Sequence, residues 1–153
     1  MTSAVVVTEA DPRAPEARAL IDALTAELAP HYTPEETFGY PVEKLVTEGV
    51  FFVVARRDGE AVACGGLQEY PGYGELKRFY VSPDARGTGA AGAVMHAIEA
   101  EARRRGLIVL RLETGKFLVA AIRFYGRHGF VPCPRFGDYP VNESSVYLEK
   151  RIG

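Results

Sequence analysis

Two cysteines, Cys64 and Cys133, are all the chain has, too few and too far apart for a disulfide scaffold or a metal site. That scarcity suits a reducing compartment and a cytoplasmic protein without a bound metal. Charge of one sign is also missing: 18 Lys and Arg stand against 20 Asp and Glu, a formal net charge of -2. Neither nucleic acid nor an anionic membrane is attracted by such a balance. The short basic run Arg103-Arg104-Arg105 would point three ways on a helix and reads as a solvated helix end. No apolar run approaches membrane-spanning length, and residues 1–7 are too short and too poor in basic residues to read as a signal peptide. The three histidines read as structural or solvated, with only His31 in a segment where a substrate could lie.

What is present is enough apolar material, 47% of 153 residues, for one core, so residues 1–153 are expected to form a single domain. Residues 4–8 are β-branched and predict a strand. Pro15 to Leu28 carries Leu20, Ile21, Leu24 and Leu28 at helical spacing and should stop at Pro30. An aromatic and acidic segment follows, with Tyr32, Glu35, Phe38 and Tyr40, and then a short helix over Val42 to Thr47. That segment either lines a pocket or crosses the surface with its rings tucked inward. Strands over 50–56 and 61–70 flank the hairpin signal Asp58-Gly59. Gly65-Gly66 inside the second marks a bulge or a close approach. After Pro71-Gly72-Tyr73-Gly74 comes a third strand, 75–81, which completes a meander.

A turn and a glycine cluster follow, Ser82-Pro83-Asp84-Ala85 and Arg86-Gly87-Thr88-Gly89-Ala90-Ala91, at the point where a helix should begin. Free backbone N–H groups and the positive end of a helix dipole would converge there, which suits a pyrophosphate. The helix should end near Gly106. Residues 107–112 read as a strand covered on both faces, 117–127 as a helix, and 129–131 and 145–149 as two further strands. The order predicts a mixed α/β or α+β domain. Taken literally, Gly87, Gly89 and Gly92 spell a dinucleotide fingerprint with Glu113 as its acid. The charged strand before the glycines, the intervening turn and the antiparallel meander argue against a Rossmann-type fold.

Those residues resemble the GNAT superfamily of acyl-CoA-dependent N-acetyltransferases. Arg86, Gly89 and Ala91 fill its signature. Leu76 to Pro83, the strand ending Leu112-Glu113-Thr114-Gly115, and Ala121-Ile122-Arg123-Phe124-Tyr125 leading to Gly129-Phe130 agree with it in order and spacing. The resemblance implies a mixed, mostly antiparallel sheet of about seven strands, splayed after the fourth and flanked by about four helices. It implies acetyl-CoA as donor, with Phe79, Tyr80 and Val81 pairing with the pantetheine arm and the amides of Arg86, Gly87, Thr88, Gly89, Ala90 and Ala91 holding the pyrophosphate. N-acetyl transfer needs a neutral amine, a stabilised oxyanion and a protonated leaving thiolate. By family correspondence Glu75 supplies the base, Tyr125 the acid, and an amide near Val81 the oxyanion contact. The acceptor, a small amine, an amino acid or a peptide amine, would meet Tyr32, Glu35, Phe38, Tyr40, Asp138 and Tyr139. Where many members carry Asn or Gln in the loop before the last helix, this chain has Phe117-Leu118-Val119. Many members are homodimers, and a CoA-binding module without catalysis is the alternative within this reading.

Overall fold

The computed structural model describes residues 4–33 and 40–153. Seven strands form one sheet in the order β1-β2-β3-β4-β5-β7-β6. They are β1 (Val5–Glu9), β2 (Phe51–Arg57), β3 (Glu60–Tyr70), β4 (Tyr73–Val81), β5 (Val109–Gly115), β6 (Val131–Pro132) and β7 (Ser145–Arg151). The helices are α1 (Pro15–Leu28), α2 (Val42–Thr47), α3 (Ala90–Arg104) and α4 (Val119–Arg127). Every pairing is antiparallel except that of β4 with β5. The expected mixed fold is what forms, with α4 starting two residues later than the periodicity suggests.

Both faces of the first half of the sheet are covered. Val94, Met95, Ile98 and Ala102 of α3 pack with Val53, Ala55, Ala63, Leu67, Leu110 and Leu112 on one side. Ala17, Leu20 and Ile21 of α1 and Val42 and Leu45 of α2 pack with Phe52, Val54, Cys64 and Tyr80 on the other. β2 can therefore be apolar from Phe51 to Ala55. β5 differs from the sequence expectation. It alternates, with Leu110, Leu112 and Thr114 buried and Val109, Arg111 and Glu113 half-buried. The reason is that no β5 residue joins the α1–α2 core, so one face of this strand looks onto a cleft. Leu24 and Leu28, counted on the α1 stripe, also face that cleft rather than the deep core.

The bulge anticipated at Gly65-Gly66 lies on the opposite strand. Cys64 pairs with Tyr80 and Gly66 with Lys77, so β4 spends one residue more than β3, and Arg78 takes up the turn at φ 52°. Gly65 marks a close approach: a Cβ there would stand 3.0 Å from Phe79 Cδ2, 3.0 Å from Val94 Cγ1 and 3.1 Å from Ile98 Cδ1. Gly65→Ala is expected to lose about 1–3 kcal/mol of stability by overpacking. Gly126→Ala, in α4 with nothing within 4 Å of the new methyl, should gain about 0.5–1 kcal/mol. Urea unfolding of the two variants beside the parent checks both signs.

Candidate active site

β4 and β5 pair at only two positions, Gly74 with Leu110 and Glu75 with Arg111, and then part. A cavity of about 780 Å³ opens where they separate. Its walls come from β4 between Leu76 and Val81, the glycine turn, the end of β5, α4 and the C-terminal part of α1. The Ser82 amide donates to Val62 O at 2.8 Å, across to β3. Amides alternate along an extended chain, so the Val81 amide faces the other edge, where β5 has moved away. Phe79 and Arg78, on the bulge, have no paired residue in the β3 register, and Phe79 packs tilted on Phe124 and edge-on to Tyr125 with ring centroids 5.5 and 5.8 Å apart. Tyr80 is buried on the α1 side yet still reaches the cavity wall.

The glycine turn holds itself in shape. Thr88 donates from both its amide, at 3.2 Å, and its hydroxyl to Ala85 O, and the Arg86 amide donates to Pro83 O at 3.3 Å. Two of the six amides expected at a pyrophosphate are therefore already used, and neither Thr88 nor Ala90 lines the cavity, Ala90 being fully buried. The amides of Gly87, Gly89, Ala90 and Ala91 have no acceptor among the described residues. Gly87 and Gly89 sit at φ 81° and 89°, and neither would bring a Cβ within 4 Å of another atom. The turn needs glycine for its backbone, and the space above it is open. Arg86 donates from Nε to Val81 O at 3.3 Å and forms an ion pair with Glu27 of α1 at 2.6 Å. Its side chain thus ties the turn to β4 and α1.

Tyr125 is 6% exposed and lines the cavity. Burial pushes its phenol above the usual tyrosine range, and the nearby Glu113 carboxyl adds to the rise. Glu75, given as the base by family correspondence, is buried and off the cavity wall. It accepts from Lys77 Nζ at 3.0 Å and from the Tyr139 hydroxyl. Glu113, two residues beyond the last β4–β5 pair, is the carboxyl that does line the cavity. Burial raises its pKa from 4.5 to about 7, against the opposing effect of a hydrogen bond from Ser145 Oγ at 2.7 Å, with Glu75 adding to the rise and Lys77 opposing it. Sequence reasoning gave Glu113 no part in proton transfer. Its parity with Arg111 on β5 was the available signal, but which face lies open depends on where the pairing ends.

Of the acceptor-pocket residues, Tyr32, Tyr40 and Tyr139 line the cavity and Asp138 does not; Glu35 and Phe38 lie outside the described residues. The Tyr32 hydroxyl accepts the Phe117 amide at 2.9 Å, and it lies where a Cβ on Gly115 would sit, 2.1 Å away. Tyr40 donates to Gln68 Oε1. His31 and His128 also reach the wall, whereas His96 does not. Cys64 is sealed in the core, its thiol pushed up to about 12 by burial, and Cys133 is off the cavity.

A model of the acetyltransferase (GNAT) family matches residues 17–130. The IAA acetyltransferase of Azospirillum brasilense is 36% identical over 135 residues, covering 87% of this chain and 88% of that protein. A crystal structure described as an acyl-CoA N-acyltransferase, from Klebsiella pneumoniae, superposes with a TM-score of 0.85 at 34% identity, over 97% of this chain and 98% of that one. PaiA N-acetyltransferase of Thermoplasma acidophilum, solved in complex with coenzyme A, shares the fold at a TM-score of 0.75 and 19% identity, over 97% of this chain and 99% of that one. Members of the matched family draw their acetyl group from acetyl-CoA. A cleft made by parting strands, a self-held glycine turn and a family match over most of the chain agree: the protein belongs to the GNAT family of acetyltransferases.

Proposed function

We propose that this chain transfers an acetyl group from acetyl-CoA to a primary amine by direct attack, with Glu113 as base and Tyr125 as acid. The observation that carries the reading is that these two groups line one cavity at the point where β4 and β5 part. The donor fits the residues present. The open β4 edge, with the Val81 amide turned toward it, suits the amide-rich pantetheine arm. The unpartnered amides of Gly87, Gly89, Ala90 and Ala91, at the N-terminus of α3, suit its pyrophosphate. Phe79 contributes through the bulge that it shares with Arg78, and Tyr80 through packing. Thr88 and Arg86 act by holding the turn.

A primary amine sits near pKa 10, so its attack requires that a proton be removed. Glu113, poised near 7 by burial, is ionised above neutrality and basic enough to take that proton. As the C–N bond forms and the C–S bond breaks, the Val81 amide donates to the carbonyl oxygen. Tyr125, kept protonated by burial, delivers its proton to the departing sulfur. The second nitrogen proton, made acidic as the C–N bond forms, returns Tyr125 to its phenol, and the proton held by Glu113 leaves to water, so one proton is released per turnover. Glu75 is a positioning residue: it holds Lys77 and Tyr139 on the wall.

Free-thiol release with acetyl-CoA and a panel of amines tests the reading; CoA binding without release over a broad panel would leave a non-catalytic CoA-binding module. Tyr125→Phe is expected to lower kcat about 100-fold or more while the CoA dissociation constant, measured by calorimetry, stays within a factor of two or so.

The Glu113 shift adds a pH dependence with a definite sign. In the parent, kcat/KM should climb through about pH 7 and level off, and Glu113→Gln should lose that limb together with most of the rate. Because the folded pKa lies above the unfolded one, the folded state binds the extra proton between these values. Stability therefore falls as pH rises from 4.5 to about 7, by up to roughly 3 kcal/mol. Urea unfolding at pH 5 and pH 8 should record that fall in the parent and a smaller one in Glu113→Gln.

A further inference from the structure

Resting on the acetyl-transfer reading, we infer that the acceptor is an amino acid, its nitrogen at Glu113 and its carboxylate on the Lys77 ammonium. The register sets the geometry. Glu75 pairs with Arg111, so two residues further along each strand Lys77 and Glu113 stand level, on the same face, across the gap where pairing has ceased. Both line the cavity. A cation and a proton acceptor thus face one another over the space that an acceptor must enter.

Lys77 is held rather than neutralised from the cavity's point of view. Its ammonium donates to Glu75 Oε2 at 3.0 Å and to the Tyr139 hydroxyl at 3.4 Å, and it stands 4.4 Å from the Tyr40 ring centroid. Glu75 stays off the cavity wall, so the acceptor meets the positive end of the pair. An ammonium has three donors, and the third has no acceptor among the described residues. With a side chain only 10% exposed, this cation is poorly hydrated, and a carboxylate that enters would make a charge-assisted hydrogen bond in a low-dielectric setting. A second ammonium at the same spot, as in a diamine, would meet like charge. Tyr32, Tyr40 and Tyr139 have their hydroxyls engaged by the Phe117 amide, Gln68 and Glu75. Their rings are what remains to bound the acceptor's side chain, and rings favour an apolar one.

Matched acceptors isolate the carboxylate. Leucine and phenylalanine are compared with their amides and with the decarboxylated amines 3-methylbutylamine and 2-phenylethylamine, by thiol release from acetyl-CoA. The expected result is a kcat/KM for the free amino acid at least about 10-fold above that of either partner. The amides carry the larger fraction of neutral amine, so a preference for the free amino acid cannot come from the supply of neutral nitrogen, and the decarboxylated amines, with the more basic nitrogen, control for intrinsic nucleophilicity. In Lys77→Met paired with Glu75→Gln, which leaves no lone buried charge, the preference should fall to near unity. Amides or decarboxylated amines used as well as the amino acids would overturn the inference and leave acetyl transfer standing. So would a preference that survives in the double variant. If that variant does not fold, the matched acceptors on the parent protein decide alone. Thiol release with none of these nor with any other amine overturns both readings.

Discussion

The whole site depends on how little β4 and β5 pair. Two residue pairs are enough to weld the halves of the sheet into one layer, and the loss of every further pair leaves strand edge unsatisfied on β4. Such an edge inside a folded protein needs a partner, and an extended ligand rich in amides can supply one. The bulge at Arg78 sharpens the divergence by spending a residue that β3 does not match. Arg78 also ties it to α1, donating to Ile21 O at 3.0 Å and to the Thr25 hydroxyl. The cleft is thus braced by α1 rather than left as a gap that could close by sliding.

The same parting explains why two carboxyls of similar chemistry take different parts. Glu75 lies at the last paired position, where the strands are still close, and its charge is met by Lys77 and Tyr139. Glu113 lies two residues past that point. It has a single hydroxyl donor, from Ser145, and enough surrounding protein to lose much of its hydration. Desolvation favours the neutral acid, so a carboxyl with too few donors titrates near neutrality. A residue tuned in this way weakens the fold wherever it is ionised, a cost that the proposed role as base would explain.

Much of this was legible in the sequence, and what was missed shares one cause. Element order, the Asp58-Gly59 hairpin and the glycine turn follow from local pattern, because periodicity and turn chemistry are local properties, whereas Tyr125 is singled out by family correspondence and proves to line the cavity. The splay came only from resemblance to a family, since pairing between strands is not written in either strand alone. Hence Glu75 and Glu113 exchanged prominence: nothing within Glu75-Leu76-Lys77 or Leu112-Glu113-Thr114 says which carboxyl lies beyond the last pair. Gly65-Gly66 signals a bulge or a close approach without saying which: the extra residue sits on the opposite strand, and Gly65 is small to admit Phe79, Val94 and Ile98.

The loop where many family members carry Asn or Gln is tied in this chain to the segment after α1. Phe117 donates its amide to Tyr32, and only a residue without a side chain at 115 leaves room for the Tyr32 hydroxyl to reach it. One hydrogen bond therefore joins the segment after α1 to the turn between β5 and α4. Tyr32 lines the cavity, and α4 carries Tyr125, the proposed acid, into the same cavity. The proposed acceptor wall and the proposed acid are thus joined through the backbone at Phe117, so a side chain there is free to vary while the contact persists. An amide cannot be lost by substitution short of proline, which makes the donor side of the join tolerant of sequence change at Phe117.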